Sequence, residues 1–211
     1  MTEVEWLTES DLFVLFGHEM PSERKLRLFA AACGRAVWRH IQKVACCREF
    51  CGQFDGDCMA SIEVAERFAD GLATERERSA AQNVLYRPVL NAANSAAINA
   101  VQQNATWAAV FAAFYTANIS DIFDSKKEVW ARQTSLFRQT VGDFKDFEMI
   151  IPDRDTLRLA EAVYRQNPFD PVTIKVLADS LEDQGYYFPE LRDNVREYKG
   201  YWLVDRILGK K

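Results

Sequence analysis

PVLNAANSAAINAVQQNATWAAVFAAFYTANIS, residues 88–120, is the longest uncharged stretch of this chain and runs for 33 residues. Its most apolar part, Trp107 to Tyr115, is too short to cross the roughly 30 Å hydrocarbon core of a bilayer. Alanine is frequent in it, and small side chains let helices approach closely. We therefore expect a long, buried Ala/Asn-rich helix at the centre of a bundle, with its amides at the boundary or hydrogen-bonded, since an unpaired buried amide costs about 1–3 kcal/mol.

The sequence before this stretch predicts amphipathic helices. Ser22 and Glu23 form a cap and an acidic first turn, and an apolar stripe at steps of three and four then runs to Val44. A loop over residues 53–57 should separate this helix from a second one, Cys58 to Asp70, which is followed by Gly71. Thr74-Glu75-Arg76-Glu77 is a capping box that should open a third helix, which Pro88 should kink or split.

The sequence after the uncharged stretch predicts four more helical segments. A capping box opens the first at Ser125, the others span about residues 156–165, 171–184 and 203–208, and the irregular residues 143–155 mark a boundary. We predict an all-α fold, a bundle of about seven to nine helices with little or no β structure. Residues 1–142 would form an N-terminal bundle and residues 143–211 a C-terminal subdomain packed on it, or the two would be one continuous domain.

Composition and charge exclude some classes of protein. The chain has 211 residues, of which 48% are apolar, with 14 Phe, 7 Tyr and 5 Trp, which excludes a disordered protein. The net charge of −5 is spread evenly, with 7 basic and 9 acidic residues in 1–60, 4 and 5 in 61–120, and 15 and 17 in 121–211. No concentrated basic field is present, which disfavours nucleic acid as the main direct partner.

The cysteines indicate a reducing compartment. The chain has five, Cys33, Cys46, Cys47, Cys51 and Cys58, an odd number that includes a vicinal pair. The first residues are acidic, whereas a secretory signal would be basic. We expect reduced thiols, a cytoplasmic location and no membrane association.

One possible zinc site involves the cysteine-rich segment around residues 46–58. His40, Cys47 and Cys51 are spaced by seven and four, so they share one face of a helix, and Cys58 could fold back across the loop. Structural zinc sites, however, usually show two pairs of closely spaced ligands, and these residues do not. We favour buried thiols that act as small apolar side chains. Thiol catalysis by Cys46 or Cys47 would need a histidine beside it, and nothing in the sequence brings one close.

Acidic residues could hold magnesium in an all-α hydrolase, but the pattern is incomplete. Glu63, Glu66 and Asp70 share a helix face, whereas the second group, Asp179, Glu182 and Asp183, lies far downstream. We therefore interpret these acids as a solvated helix face. The sequence contains no phosphate-binding, dinucleotide-binding, zinc-protease or nucleophile-elbow motif. We predict no cofactor, and the sequence leans against an enzyme.

Several stretches together resemble an uncharacterised, heavily duplicated family of planctomycete proteins. They are the MTEVEWL start, ERKLRLFA from Glu23, EVAERFADGLA from Glu63, LADSLED from Leu177 and GYWLVDRILGK from Gly200. The LADSLED element is also similar to a short helical motif found beside repeat regions in proteins of those bacteria. The resemblance implies no reaction and no ligand, and the cysteine-rich insertion and the central Asn/Ala stretch depart from the family's pattern.

These observations favour a protein that binds another protein, encoded nearby, as a scaffold, adaptor or regulatory subunit of a cytoplasmic assembly. Aromatic residues are enriched at the centres of interfaces. The alternatives are a small zinc-dependent or hydrolytic enzyme and a nucleic-acid-associated accessory protein. The predicted binding residues are two tryptophans and four acids: Trp38, Trp202, Asp179, Glu182, Asp183 and Asp205.

Overall fold

The computed structural model describes residues 1–18, 21–43, 55–85, 92–120, 126–142, 150–166, 170–186, 188 and 202–210. Within these ranges the chain forms eleven α-helices and no strand, which confirms the predicted all-α fold. The count exceeds the predicted seven to nine because two short helices precede Ser22 and the central stretch forms two helices. None of the described helices is both long and apolar enough to cross a membrane.

The chain divides into two compact units, Met1–Arg138 and Gln139–Lys211. The division lies inside a helix, and the boundary predicted after residue 142 stays a prediction. The first unit contains α1 (Glu3–Thr8), α2 (Leu12–His18), α3 (Glu23–Lys43), α4 (Asp55–Ala69), α5 (Glu75–Leu85), α6 (Ala92–Ala100), α7 (Ala105–Ser120) and most of α8 (Lys126–Val141).

Helix α3 is the centre of the first unit. It packs against α4, α6 and α7, and its stripe buries Leu26, Phe29 and Cys33 as predicted. Phe29 also meets Phe137 of α8 edge to face, with ring centroids 5.3 Å apart. Phe16 of α2 joins them at 4.7 Å from Phe137. Such aromatic contacts add to the stabilisation that burial of apolar area provides.

Helix α4 ends as predicted and begins earlier than predicted. The φ angle of Gly71 is +71°, and the amide of Leu72 donates to the carbonyl of Arg67 at 2.7 Å, which is a glycine-terminated helix end. The helix begins at Asp55, so the predicted loop over residues 53–57 is wrong from Asp55 onward. Asp55 and Asp57 favour an earlier start, because acidic side chains stabilise the first turn of a helix.

The central stretch is two helices and not the single long helix that was expected. Helix α6 ends at Ala100 and α7 begins at Ala105, where the Asn104 side chain accepts a hydrogen bond of 2.9 Å from the amide of Trp107. This asparagine acts as an N-cap, which lets the chain turn between the helices. Pro88 and Ser125, which were given breaking and capping roles, lie outside the described residues.

The second unit contains the end of α8 together with α9 (Arg154–Arg165), α10 (Pro171–Asp183) and α11 (Trp202–Ile207). These bounds confirm the three helices predicted after the boundary. Asp153 and Asp170 cap α9 and α10 by accepting hydrogen bonds from backbone amides in their first turns. Helix α9 packs against α10 and α11 around a core that includes Val163, Leu177 and Leu203.

Candidate functional site

The predicted zinc ligands do not meet in the described part of the chain. Cys58 is a buried thiol on α4, while Cys47 and Cys51 lie outside the described residues and nothing is described of the His40 side chain. Within the described ranges, no group of three or more His, Cys, Asp or Glu side chains could hold a metal ion. The zinc site therefore stays a prediction. Burial also raises the pKa of the Cys33 thiol above its usual range, so this thiol is protonated and a poor nucleophile.

The predicted binding residues are divided between the interior and the surface. Trp38 is buried in the first unit, and Trp202 and Asp205 are buried in the second. Trp202 packs near Gly142, where an added Cβ would lie 3.4 Å from the Trp202 Cβ. The three acids of α10 are exposed to solvent: Asp179, Glu182 and Asp183. Their proposed binding role stays a prediction.

Buried ion pairs replace the solvated acidic face that was expected on α4. Glu66 accepts two hydrogen bonds from Arg35 of α3, at 2.6 and 2.9 Å, and the two side chains are 3% and 8% exposed. Asp70 pairs with Arg24 at 3.1 Å. Only Glu63 points to solvent as expected. Two of these three acids therefore join α3 to α4, and the magnesium site considered for them is not formed.

An uncharged groove runs between α6 and α7. Its volume is about 610 Å³, within the range typical of ligand-binding clefts. Its floor is the turn between the helices, and one wall is a row of rings on α7. The lining residues are Ser95, Ile98, Asn99, Gln102, Gln103, Asn104, Trp107, Phe111 and Tyr115, none of them charged.

Aromatic side chains on α7 are exposed beside this groove, contrary to the expectation of a buried helix. Trp107 is 56% exposed, Phe111 38% and Phe114 47%. Trp107 and Phe111 stack with ring centroids 5.1 Å apart and an interplanar angle of 18°. The opposite face of α7, with Ala108, Ala109 and Ala112, is buried as predicted. The alanines of α7 therefore pack into the core, whereas its large aromatic side chains lie at the surface.

Two buried arginines fix the turn that forms the floor. Arg27 of α3 donates to the carbonyls of Gln102 and Gln103, at 2.7 and 2.6 Å. Arg78 of α5 donates to the carbonyl of Val101. Cations stabilise the carbonyl end of a helix, here the end of α6.

The same arginines share two further contacts. The guanidinium carbons lie 4.9 Å (Arg27) and 5.9 Å (Arg78) from the centroid of the Phe68 ring, within cation–π distance. Each arginine also pairs with a glutamate of its own helix, Glu23 for Arg27 and Glu75 for Arg78. The hydrogen bond from Arg78 lowers the pKa of the Glu75 carboxyl, which keeps that carboxyl ionised. The floor is thus held by side chains from α3, α4 and α5.

Hydrogen-bonding groups in the groove have unused capacity. The Gln102 Oε1 accepts from Gln82 at 3.2 Å, but the Gln102 Nε2 has no partner within the described ranges. The same is true of the Gln103 side-chain amide, the Trp107 indole N–H and the Tyr115 hydroxyl, as far as the structure describes the chain. The groove therefore combines apolar ring faces with polar groups that can bind a ligand.

A second, smaller cavity lies between α2 and α8. Its volume is about 390 Å³, and it is lined by Ser10, Asp11, Phe13 and Trp130. The Phe13 and Trp130 rings are 6.1 Å apart, and Phe13 is exposed. It offers fewer hydrogen-bonding groups than the α6–α7 groove, so the larger groove is the stronger candidate.

A scan against protein-family models matched none of them, and searches of the curated proteins and of the solved structures also found no match.

Sequence reasoning missed the groove, although a signal was present. The polar run Gln102-Gln103-Asn104 ends in an N-cap residue, and Trp107, Phe111 and Phe114 follow it at helical spacing. Treating residues 88–120 as one helix hid the turn. Once α7 begins at Ala105, the three aromatic residues fall on one helix face and the alanines on the other.

Proposed function

We propose that this protein is a non-catalytic binding protein, a scaffold, adaptor or regulatory subunit, that holds a segment of another protein in the α6–α7 groove. The observation that carries this proposal is the row of exposed rings, Trp107, Phe111 and Phe114, beside a formed groove. Contiguous exposed apolar surface of this kind is typical of interaction sites, and tryptophan is enriched where binding energy is concentrated.

The chemistry of the lining supports an uncharged partner segment. No lining residue carries a charge, and α6 and α7 contain none either. A charged side chain pressed into this groove would lose hydration without gaining an ion pair, which costs free energy. The segment that binds is therefore expected to be apolar and uncharged.

The rigidity of the floor supports binding as well. Arg27 and Arg78 hold the backbone of the turn in the free protein, so the groove does not need to form when a partner arrives. Preformed sites lose less conformational entropy on binding than sites that must first become ordered.

The proposal includes a cytoplasmic location and a partner encoded close to this chain. The cysteine pattern supports a reducing compartment, because five thiols cannot all pair within one chain.

Site-directed photo-cross-linking tests the proposal. A photoreactive benzoylphenylalanine replaces Phe114, which is exposed beside the groove but does not line it. The matched control places the same group at Val172, which is exposed on α10. After illumination in lysate of the source organism, we expect one protein adduct at position 114 that is absent at position 172.

The adduct must then be reproduced with the identified protein in pure form and must disappear in a Trp107→Ala background. The proposal would be overturned if the cross-linker at position 114 gave only the adducts that the control at position 172 also gives. An adduct made of two copies of this chain would also overturn it, because the occupant would then be a second copy and not a different protein.

A further inference from the structure

We infer that the partner segment is proline-rich and binds the α6–α7 groove as an extended polyproline II strand. This inference rests on the proposed function and specifies its ligand. It is carried by the free hydrogen-bonding groups, the spacing of the rings and the absence of charge in the groove.

The hydrogen-bonding groups favour a ligand whose backbone carbonyls are not already used. The Gln102 Nε2, the Gln103 Nε2 and the Trp107 indole N–H are donors without a partner in the described ranges. A polyproline II strand has no internal hydrogen bonds, so its carbonyls can accept from all three. A helical ligand has already used its carbonyls internally, and it would cover these donors and leave them unpaired, which costs free energy.

The ring spacing matches a short extended strand. The three rings that line the groove, Trp107, Phe111 and Tyr115, follow one another every four residues, so together they rise about 12 Å along α7. Polyproline II rises about 3.1 Å per residue, so about four residues span the row. Pyrrolidine rings pack well against the exposed faces and edges of aromatic rings, and aromatic-lined grooves are the common mode by which proline-rich segments are recognised.

Charge complementarity excludes the other frequent peptide ligands. Acidic and phosphorylated segments need arginine or lysine in their site, and basic segments need carboxylates. The lining has neither. An uncharged segment loses little hydration free energy on entering the groove. A proline-rich segment also loses little backbone conformational entropy on binding, because the φ angle of proline is already fixed.

Titration calorimetry with synthetic peptides tests the inference. The first peptide has about ten residues, is blocked at both ends, consists mostly of proline and carries no charge, so it is about 30 Å long in the polyproline II form. The second has alanine and glutamine in place of proline and favours a helix. A neutral glucose oligomer serves as a third ligand, because aromatic faces with amides could also bind a sugar.

We expect the proline-rich peptide to bind at least tenfold more tightly than the helical peptide and the sugar. Trp107→Ala should weaken its binding at least tenfold, and Gln103→Ala should weaken it severalfold. Val4→Ala, at an exposed position on α1, should leave the affinity unchanged. Since both groove side chains are exposed, circular dichroism should show all three variants folded.

Three results would overturn the inference: no measurable binding of the proline-rich peptide, binding that Trp107→Ala leaves unchanged, or tighter binding of the helical peptide or the sugar. The cross-link at position 114 is scored separately. If it persists while the proline-rich peptide fails, the proposed function stands and only the ligand assignment falls. If both fail, the proposed function falls too.

Discussion

At the residue scale, the acids of α4 show how position along a helix decides the role of a side chain. Glu63 and Glu66 differ by three residues, yet the first lies in solvent and the second is enclosed with Arg35. The sequence alone does not separate them, because the partner arginine comes from α3, 31 residues away. Which acid is buried depends on how α3 and α4 pack, and this is why a solvated face was expected.

Glu66→Ala should strongly destabilise the protein. Removing one partner of a buried ion pair leaves the other charge without its counter-ion, and the cost is about 3–5 kcal/mol. Glu63→Ala is the matched control on the same helix, and an exposed substitution of this kind changes stability by at most about 0.5 kcal/mol. Chemical denaturation followed by circular dichroism measures both.

A second variant distinguishes pairing from packing. The double substitution Arg35→Met with Glu66→Leu removes both charges and keeps apolar volume, so it should cost far less than Glu66→Ala. If Glu66→Ala were no more destabilising than Glu63→Ala, the ion pair would not contribute to the fold.

At the scale of elements, capping residues close in sequence decide where several helices begin. The capping box at Thr74 is present as predicted, with the Glu77 amide donating to the Thr74 hydroxyl at 3.2 Å and the Glu77 carboxylate accepting from the Thr74 amide at 2.7 Å. These signals are local in sequence, so they could be predicted. The break between α6 and α7 has one local signal, the cap residue Asn104, but the turn is also held by Arg27 and Arg78 from distant helices, and those contacts could not be predicted from the sequence.

Gly71→Ala should destabilise the end of α4. The residue sits at a φ of +71°, where a Cβ is unfavourable by about 1–2 kcal/mol. Gly56→Ala lies in the same helix with nothing within 4 Å of its added Cβ, and alanine there should stabilise by up to about 1 kcal/mol.

Thermal denaturation of the two variants should therefore move the transition temperature in opposite directions. Equal shifts for both would contradict the assignment of Gly71 as the left-handed residue that ends the helix.

At the scale of the whole molecule, the sequence lacks the concentrated run of basic residues that is typical of nucleic-acid-binding proteins. The net charge is −5, the signs are mixed along the chain, and the lining of the α6–α7 groove is neutral. The even charge could be counted in the sequence. The concentration of uncharged groups in one surface groove could not, because it required the fold of residues 92–120.

Binding at the α6–α7 groove should be nearly independent of salt. Charges screen over about 10 Å at 0.1 M salt, and a neutral interface has no charge pairs to lose. The affinity for the proline-rich peptide should change less than about twofold between 50 and 200 mM salt, whereas a protein that contacts six to ten phosphates loses about 10³–10⁵ in affinity over that range. Calorimetry at the two salt concentrations measures this, and a steep fall would contradict a neutral binding surface.

The two arginines beneath the groove should also allow the side chains of the turn to be substituted, and with them the ligand preference of the groove. Within the turn, Arg27 and Arg78 donate hydrogen bonds only to backbone carbonyl oxygens, and every amino acid provides such an oxygen. The arginines do not contact the side chains at positions 102 and 103 through these bonds. A library that varies only these two positions should retain the fold while changing what the groove selects. The turn is thus a natural starting point for engineering binders with new sequence preferences.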